Sequence, residues 1–478
     1  MDFPFVGSSY QYRSSNYDLQ RSINLYPIKS EVGTSKAITA LVSVPGYSSF
    51  ALLPDSPIRA THEVNGRAFA VAGYGLYEIF SNGSYILRGS LLTNSGYVSV
   101  ANNGFQICMV DGTVTGGFIL TLATNAYAQI TNPYFLGANT VTFIDGYFMF
   151  NKPNTQIYYI SALYDGLSGD PLDFASAEAS PDNLVAVKEI HKQVWLFGTS
   201  TIEPVFNTGA ADFPFSPNQG AVIEYGCAAA QSIATTANTI FWIGSDREGT
   251  GIVFMTNGSQ PQRISNNVIE RLLQSVPDLS TATAYTYQED GHYFYIINVD
   301  GLDTSLVFDI NTQEWHERAF WNTNGGNYER HRAQSHIFAF GKHLIGDYAN
   351  GNIYQQSLDI YTFNGQPLRR LRRSPYFADD LEYLFFSRLQ IDMETGIGLD
   401  GAASSDTAPT AALRWTDDGG HTWSNEYSAS LGALGNYNTR VIWRRLGRSR
   451  SRAFEFVTSV ACKIFIISAK VQVEKGTS

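Results

Sequence analysis

A chain of 478 residues is longer than one ordinary core fills, so length alone predicts two or three domains, or one large radial repeat with an appendage. Its 30 Phe, 28 Tyr and 7 Trp, with only 16% charged residues, favour strands over helices. A net charge of −11 argues against a tight DNA-wrapping role, and Cys108, Cys227 and Cys462 are too far apart for a disulfide framework or a paired zinc motif.

The start, Met1-Asp2-Phe3-Pro4-Phe5, lacks the basic flank and apolar core of a signal peptide. No stretch approaches the roughly 20 apolar residues of a spanning helix, so a soluble protein without membrane insertion is expected. Residues 1–58 read as a segment that packs on or closes the domain that follows.

From residue 59 one theme recurs: a short apolar run, a glycine-containing turn, and a second run with period-two character. The first unit spans Arg67–Val71, Gly75–Phe80 and Tyr85–Leu87, with Gly73 and Asn82-Gly83 as turns. Here Gly73-Tyr74-Gly75 reads as a hairpin turn, since no helix or third glycine follows to make a nucleotide fingerprint.

Further units centre on Phe105–Val110, Val141–Phe150, Leu184–Phe197, Thr239–Ile243, Tyr293–Phe308 and Ile337–Ile345. Spacing of roughly 40 to 50 residues matches four-stranded propeller blades. Seven blades is the best count and six the alternative. One such meander cannot cover both its faces, so neighbours must pack on it and ring closure must protect its edges. A short helix is expected at Asn266–Leu273, where asparagine can cap and apolar positions recur at helical spacing.

The repeat ends near residue 358, and residues 359–380, with Arg369, Arg370, Arg372 and Arg373, read as a basic linker or surface strand. Residues 381–478 alternate apolar runs with glycine-rich loops, as in a β-sandwich, with an exposed loop at 396–409. The expected fold is therefore all-β: a propeller over 59–358 and a C-terminal β-sandwich-like domain.

Chemistry-bearing candidates are few. Asp246, Glu248 and Glu203 are the carboxylates that a glycan hydrolase reading would use, without a pattern that singles them out. His292, His316, His331, His336 and His343 crowd one stretch, but their spacing matches no metal motif. No nucleophile elbow occurs, and neither a catalytic residue, a cofactor nor a metal is expected. Arg440, Arg444, Arg445, Arg448, Arg450 and Arg452 form a second basic cluster, which suggests an acidic partner, either phosphate or protein carboxylate.

Thr416-Asp417-Asp418-Gly419-Gly420-His421-Thr422-Trp423 resembles the Asp-box hairpin of sialidase-like propellers, a structural turn in which Asp418 would accept backbone N–H bonds, Gly420 would allow positive φ and Trp423 would pack beneath. Lys192–Glu203 continuing to Asn207-Thr208-Gly209-Ala210 resembles the packaged-DNA stabilisation, or tail-hub, proteins of short-tailed phages. Ser180-Pro181-Asp182 to Lys188, Arg440–Arg448, and Ser22–Pro27 with Val44-Pro45-Gly46 are similar to the same family in the same order.

That resemblance implies a non-enzymatic nozzle subunit of the virion tail, assembled in the host cytoplasm. It implies a homo-oligomer, hexameric in related nozzle proteins, that extends the channel for double-stranded DNA below portal and adaptor rings and helps retain the genome. Tail needle, fibre or spike proteins would be its distal partners. Arg369, Arg370, Arg372, Arg373, Arg440, Arg444, Arg445 and Arg448 are the candidate assembly contacts. A propeller glycan hydrolase and a generic interaction module are the alternatives.

Overall fold

Turn chemistry sets the first level of structure. Asn65-Gly66, Asp145-Gly146 and Asp290-Gly291 hold φ values of 54 and 78°, 47 and 95°, and 49 and 78°, the left-handed pairs that a tight two-residue hairpin requires. They join Ile58–Val64 to Arg67–Ala72, Val141–Ile144 to Tyr147–Asn151, and Thr283–Glu289 to His292–Asn298.

The computed structural model describes residues 2–178, 180–218, 220–236, 238–245, 249–258, 260–379, 382–399 and 408–476. The chain forms two units: unit 1 comprises Met1–Ser48, Leu302–His331 and Gln356–Ser478, and unit 2 comprises Ser49–Gly301 and Arg332–Gln355.

Unit 2 is a seven-bladed propeller. Its first four blades are four-stranded meanders beginning with Ile58–Val64, Ser99–Asn102, Val141–Ile144 and Leu184–Ile190. In the fifth blade, Gly226–Cys227 and Ala234–Thr236 both pair with Thr239–Ser245. The sixth contributes the hairpin Thr283–Glu289 and His292–Asn298, and the seventh begins at Ala333–Ala339. First strands touch from blade to blade over the first four blades and from the fifth to the seventh, Gln193–Gly198 meets Gly226–Cys227 between the fourth and fifth, and Ala333–Ala339 returns to Ile58–Val64, which closes the ring. Residues 49–52 supply the outer edge of the seventh blade, where the Leu53 N–H donates to the Gly351 carbonyl at 2.9 Å.

Because each blade is covered on both faces, its middle strands bury successive residues rather than alternate ones; Gly75–Ile79 and Gln106–Val110 are buried at every position. Hydroxyls tie the inner edges together. Ser99 Oγ accepts from Val141 N–H at 3.1 Å, Thr140 Oγ1 from Val187 N–H at 2.9 Å and Thr142 Oγ1 from Glu189 N–H at 3.0 Å. These bonds satisfy edge groups that no strand pairs.

The expected helix is present as Asn267–Gln274, and Asn266 caps it by accepting from the N–H groups of Val268 and Ile269 at 3.0 and 3.1 Å.

Unit 1 is a β-sandwich. One sheet runs Leu25–Lys29, Thr39–Ser43, Phe465–Lys475, Leu384–Met393, Val441–Ser449. The other includes Glu314–Asn322, Leu19–Ile23, Arg370–Arg373, Ser451–Thr458, Thr410–Thr416 and Tyr427–Ser430. Phe3, Phe5, Leu389, Trp443, Phe454 and Phe456 belong to the core cluster they share.

Two differences from the sequence reading follow. Residues 1–48 belong to unit 1, while only the short stretch from Ser49 edges the propeller. The stretch read as a basic linker contains an interior strand: Arg370–Arg373 lies between Leu19–Ile23 and Ser451–Thr458.

Candidate functional site

The strand Val441–Ser449 carries three exposed arginines. A regular strand would send alternate residues outward, yet Arg444 and Arg445 are both exposed, Leu446 is buried and Arg448 is exposed again. The cause is a β-bulge: pairing with Leu384–Met393 shifts register between Phe386 and Arg388, opposite Gly447 and Arg444. Arg445 and Gly447 take left-handed φ values of 59 and 78° to make that turn in the strand.

Arg388 pairs directly with Arg444 across the sheet and shares its face, and Phe385 pairs with Arg448. Like charges placed opposite each other destabilise a sheet. Arg388, Arg440, Arg444, Arg445, Arg448 and Arg450 make no ion pair among the described residues. Arg448 and Arg450 lie over the Tyr383 ring at 4.9 and 4.5 Å, which holds these guanidiniums without neutralising them. Sequence reading misses Arg388 and Phe385, because only strand pairing brings them beside the 440–450 cluster.

The arginines at 369–373 are more enclosed, two of them buried and two half-buried. Arg370 is fully buried, donating to Ser43 Oγ at 2.6 Å and to the Val460 carbonyl at 2.9 Å. Arg372, equally buried, donates to the carbonyls of Phe5 and Ser8 and to Gln20 Oε1, at 2.6, 2.8 and 2.8 Å. Burial pulls its pKa down to about 9, which leaves it charged at neutral pH. Arg373 reaches Glu455 at 2.6 Å and lies over the Trp423 ring at 4.8 Å, while Arg369 lies over Trp321 at 4.4 Å. Burial removes Arg370 and Arg372 as assembly contacts; they hold distant segments of unit 1 together. Arg452 is internal too, paired with Asp417 at 2.6 Å.

In the Thr416–Trp423 hairpin, Asp418 accepts from Thr422 N–H at 2.9 Å and from the hydroxyls of Thr422 and Thr416 at 2.6 and 2.8 Å. These bonds, Thr422 first, hold its carboxyl well below the usual range. Gly420 has φ 91°. Trp423 is half-buried, and Arg414 as well as Arg373 lies over its ring.

Of the residues raised for catalysis or metal binding, the structure shows one close pair, His336 with His343. Glu203 is buried and accepts from Glu178 N–H at 3.1 Å; Asp246 and Glu248 lie outside the described residues. His336 Nε2 and His343 Nδ1 are 3.0 Å apart in unit 2, whereas His316 and His331 are buried in unit 1. Among the described residues no group of three or more His, Cys, Asp or Glu could hold a metal ion. All three cysteines are buried, and burial pushes the Cys227 and Cys462 thiols up to about 12 and about 11.

Comparison with known proteins returns two family matches in chain order. Residues 1–361 match a family described as bacteriophage P22 Gp10, β-propeller, and residues 369–474 match bacteriophage P22 Gp10, β-sandwich. A relative, the tail hub protein gp10 of Salmonella phage P22, is 22% identical over 324 residues, which cover 66% of this chain and 66% of that protein. The match therefore spans just under two thirds of the relative's length. Among solved structures, the WD40 β-propeller domain of Doa1 is 11% identical, with 65% of this chain and 97% of that chain covered at a TM-score of 0.40. PorZ of Porphyromonas gingivalis is 11% identical, with 80% and 46% covered at 0.38. Likenesses this distant carry no argument about function.

Proposed function

The chain belongs to the bacteriophage P22 Gp10 family, and from that membership we propose that several copies, six in the simplest reading, form a ring in a phage tail below portal and adaptor rings. The observation that carries this reading is the pair of family matches, propeller then sandwich, which together take in almost all of the chain. The ring lengthens the DNA channel, helps retain packaged genome and offers an attachment point for distal tail parts such as needle, fibres or spikes. Its place is the virion tail, reached by assembly in the host cytoplasm, and its role is structural rather than enzymatic.

The acidic balance of the chain suits sliding, since each firm phosphate contact would oppose DNA movement.

The test is reconstitution. Purified chain added to portal and adaptor complexes is expected to add a further ring in electron-microscope projections, and particles lacking it to leak DNA. A chain that never joins those complexes, with particles that retain DNA equally well without it, sinks the reading.

A further inference from the structure

The acidic excess is not spread evenly. Unit 1 contains 21 Lys and Arg and 21 Asp and Glu, so the whole net charge of −11 belongs to unit 2. Unit 1 is balanced in sum but sorted in space: Arg21, Arg373 and Arg452 pair with Glu317, Glu455 and Asp417, and Arg370 and Arg372 are buried among neutral acceptors, while Arg388, Arg444, Arg445 and Arg448 stand on one sheet face without an ion pair among the described residues. Phe385 stands exposed beside them.

Unit 2 presents a face of opposite character. The turns that join the first two strands of its early blades meet there. Asn65 Nδ2 donates to the Gly104 carbonyl at 2.8 Å, the rings of Phe105 and Tyr164 meet edge-on at 6.4 Å, and Tyr164 N–H donates to the Gly146 carbonyl at 2.6 Å. The first three blades therefore share one continuous surface at this end. Phe105, Leu163 and Tyr164 stand on it 66, 55 and 52% exposed, with exposed Asp145 on one of these turns and half-buried Glu63 at the end of the strand that leads into another, its carboxylate accepting from Gly66 N–H at 2.7 Å. Tyr164 holds φ 56°, a conformation that bulky side chains seldom adopt. Grouped exposed apolar side chains rimmed by charge mark a protein docking surface.

Resting on the ring reading above, we infer that the arginine face of one copy docks on the acidic, aromatic turn face of the next copy. The signs are complementary, guanidiniums pair with carboxylates and lie over aromatic rings, and Phe385 supplies an apolar centre against Phe105 and Leu163. Two different patches in contact make a head-to-tail interface, the kind that closes into a ring when its rotation permits. DNA phosphate could take the same arginines, but it would leave the aromatic turn face without a role.

Charge exchange in the full-length chain tests this. One variant carries Arg444→Glu with Arg448→Glu, a second carries Glu63→Lys with Asp145→Lys, and a third carries all four changes. Thermal melting checks that each is folded. Sedimentation at low and high salt is expected to show salt-sensitive self-association of the wild type, weakened by about tenfold or more in each of the first two variants. Association returns when those two are mixed, because each supplies the charge the other needs, and returns in the third variant alone. The inference is overturned by wild-type chain that stays monomeric in both salts, by reversals without effect, or by a failure of exchange to restore association. It is equally overturned if Arg444→Glu with Arg448→Glu abolishes binding of a short duplex DNA but leaves self-association intact. Restoration by exchange in a chain that never joins portal and adaptor would instead count against the tail-ring reading and leave this interface standing.

Discussion

Glu455 is fully buried between two arginines, with Arg373 at 2.6 Å and Arg414 at 2.5 Å. Removing one member of such a cluster leaves buried charge uncompensated, which costs about 3 to 5 kcal/mol. Glu455→Gln is thus expected to lower unfolding stability by roughly 3 kcal/mol, read by urea titration, and a loss below about 1 kcal/mol would show that water reaches the site. Glu317 gives a pH signature. Burial, the largest influence, would raise its pKa, but Arg21, Thr304 and Ser9 outweigh burial and hold it below the usual value. A carboxyl depressed in the folded state stabilises the fold above its unfolded pKa of about 4.3 and loses that contribution as pH falls toward the folded value. The melting temperature should therefore drop on acidification below about pH 4.3, and Glu317→Gln should flatten part of that drop. Neither role was legible beforehand, because partners such as Arg21 and Glu317 lie far apart in the chain. Arg370 and Arg372 were misread for the same reason: their acceptors come from residues 5, 8, 20, 43 and 460, and a run of arginines in isolation has the composition of a surface.

At the scale of elements, sequence reading succeeds where a local rule decides. Gly73 and Asn82-Gly83 announce turns by glycine's tolerance of left-handed φ, 47° at Gly73 and 81° at Gly83, and Asn266 announces a helix by its cap. Asn266→Ala should cost about 1 kcal/mol, seen as a small shift of the melting curve. The inner-strand hydroxyls had no such signal. Thr142→Val keeps shape and β preference but leaves the Glu189 N–H unpaired between blades, which costs about 1 to 3 kcal/mol. Because Thr142 is buried, its replacement by Ser should retain most of the stability, a comparison that separates the hydrogen bond from packing. The bulge at Arg444–Gly447 left a trace, since the two consecutive arginines of Trp443-Arg444-Arg445-Leu446 break alternation, but its register with Phe386 and Arg388 comes only from strand pairing. The fifth blade hid its first strands because Gly226–Cys227 and Ala234–Thr236 are only two and three residues long.

For the whole molecule, the consequence lies in how unit 1 is assembled from separated stretches. Residues 369–474 match the sandwich family, which would suggest a domain that folds alone. The sheets argue otherwise: Leu19–Ile23 pairs with Arg370–Arg373, Thr39–Ser43 pairs with Phe465–Lys475, and Asp2–Phe3 pairs with the same long strand. Phe3, Phe5, Leu25 and Leu41 belong to the shared core, so a fragment of residues 369–478 would open that core and leave Arg370 and Arg372 without several of their acceptors. Buried guanidiniums without acceptors are more costly than the lost apolar contacts alone. That fragment should melt without cooperativity and bind a dye that reports exposed apolar surface, as a loosely packed state does. Supplying residues 1–48 as a separate peptide should suppress dye binding and sharpen the transition, because it returns the three strands that pair with the fragment, the four core side chains and the carbonyls of Phe5 and Ser8 together. A sharp transition in residues 369–478 alone would refute this dependence and make the sandwich an autonomous domain to which the N-terminal strands merely add.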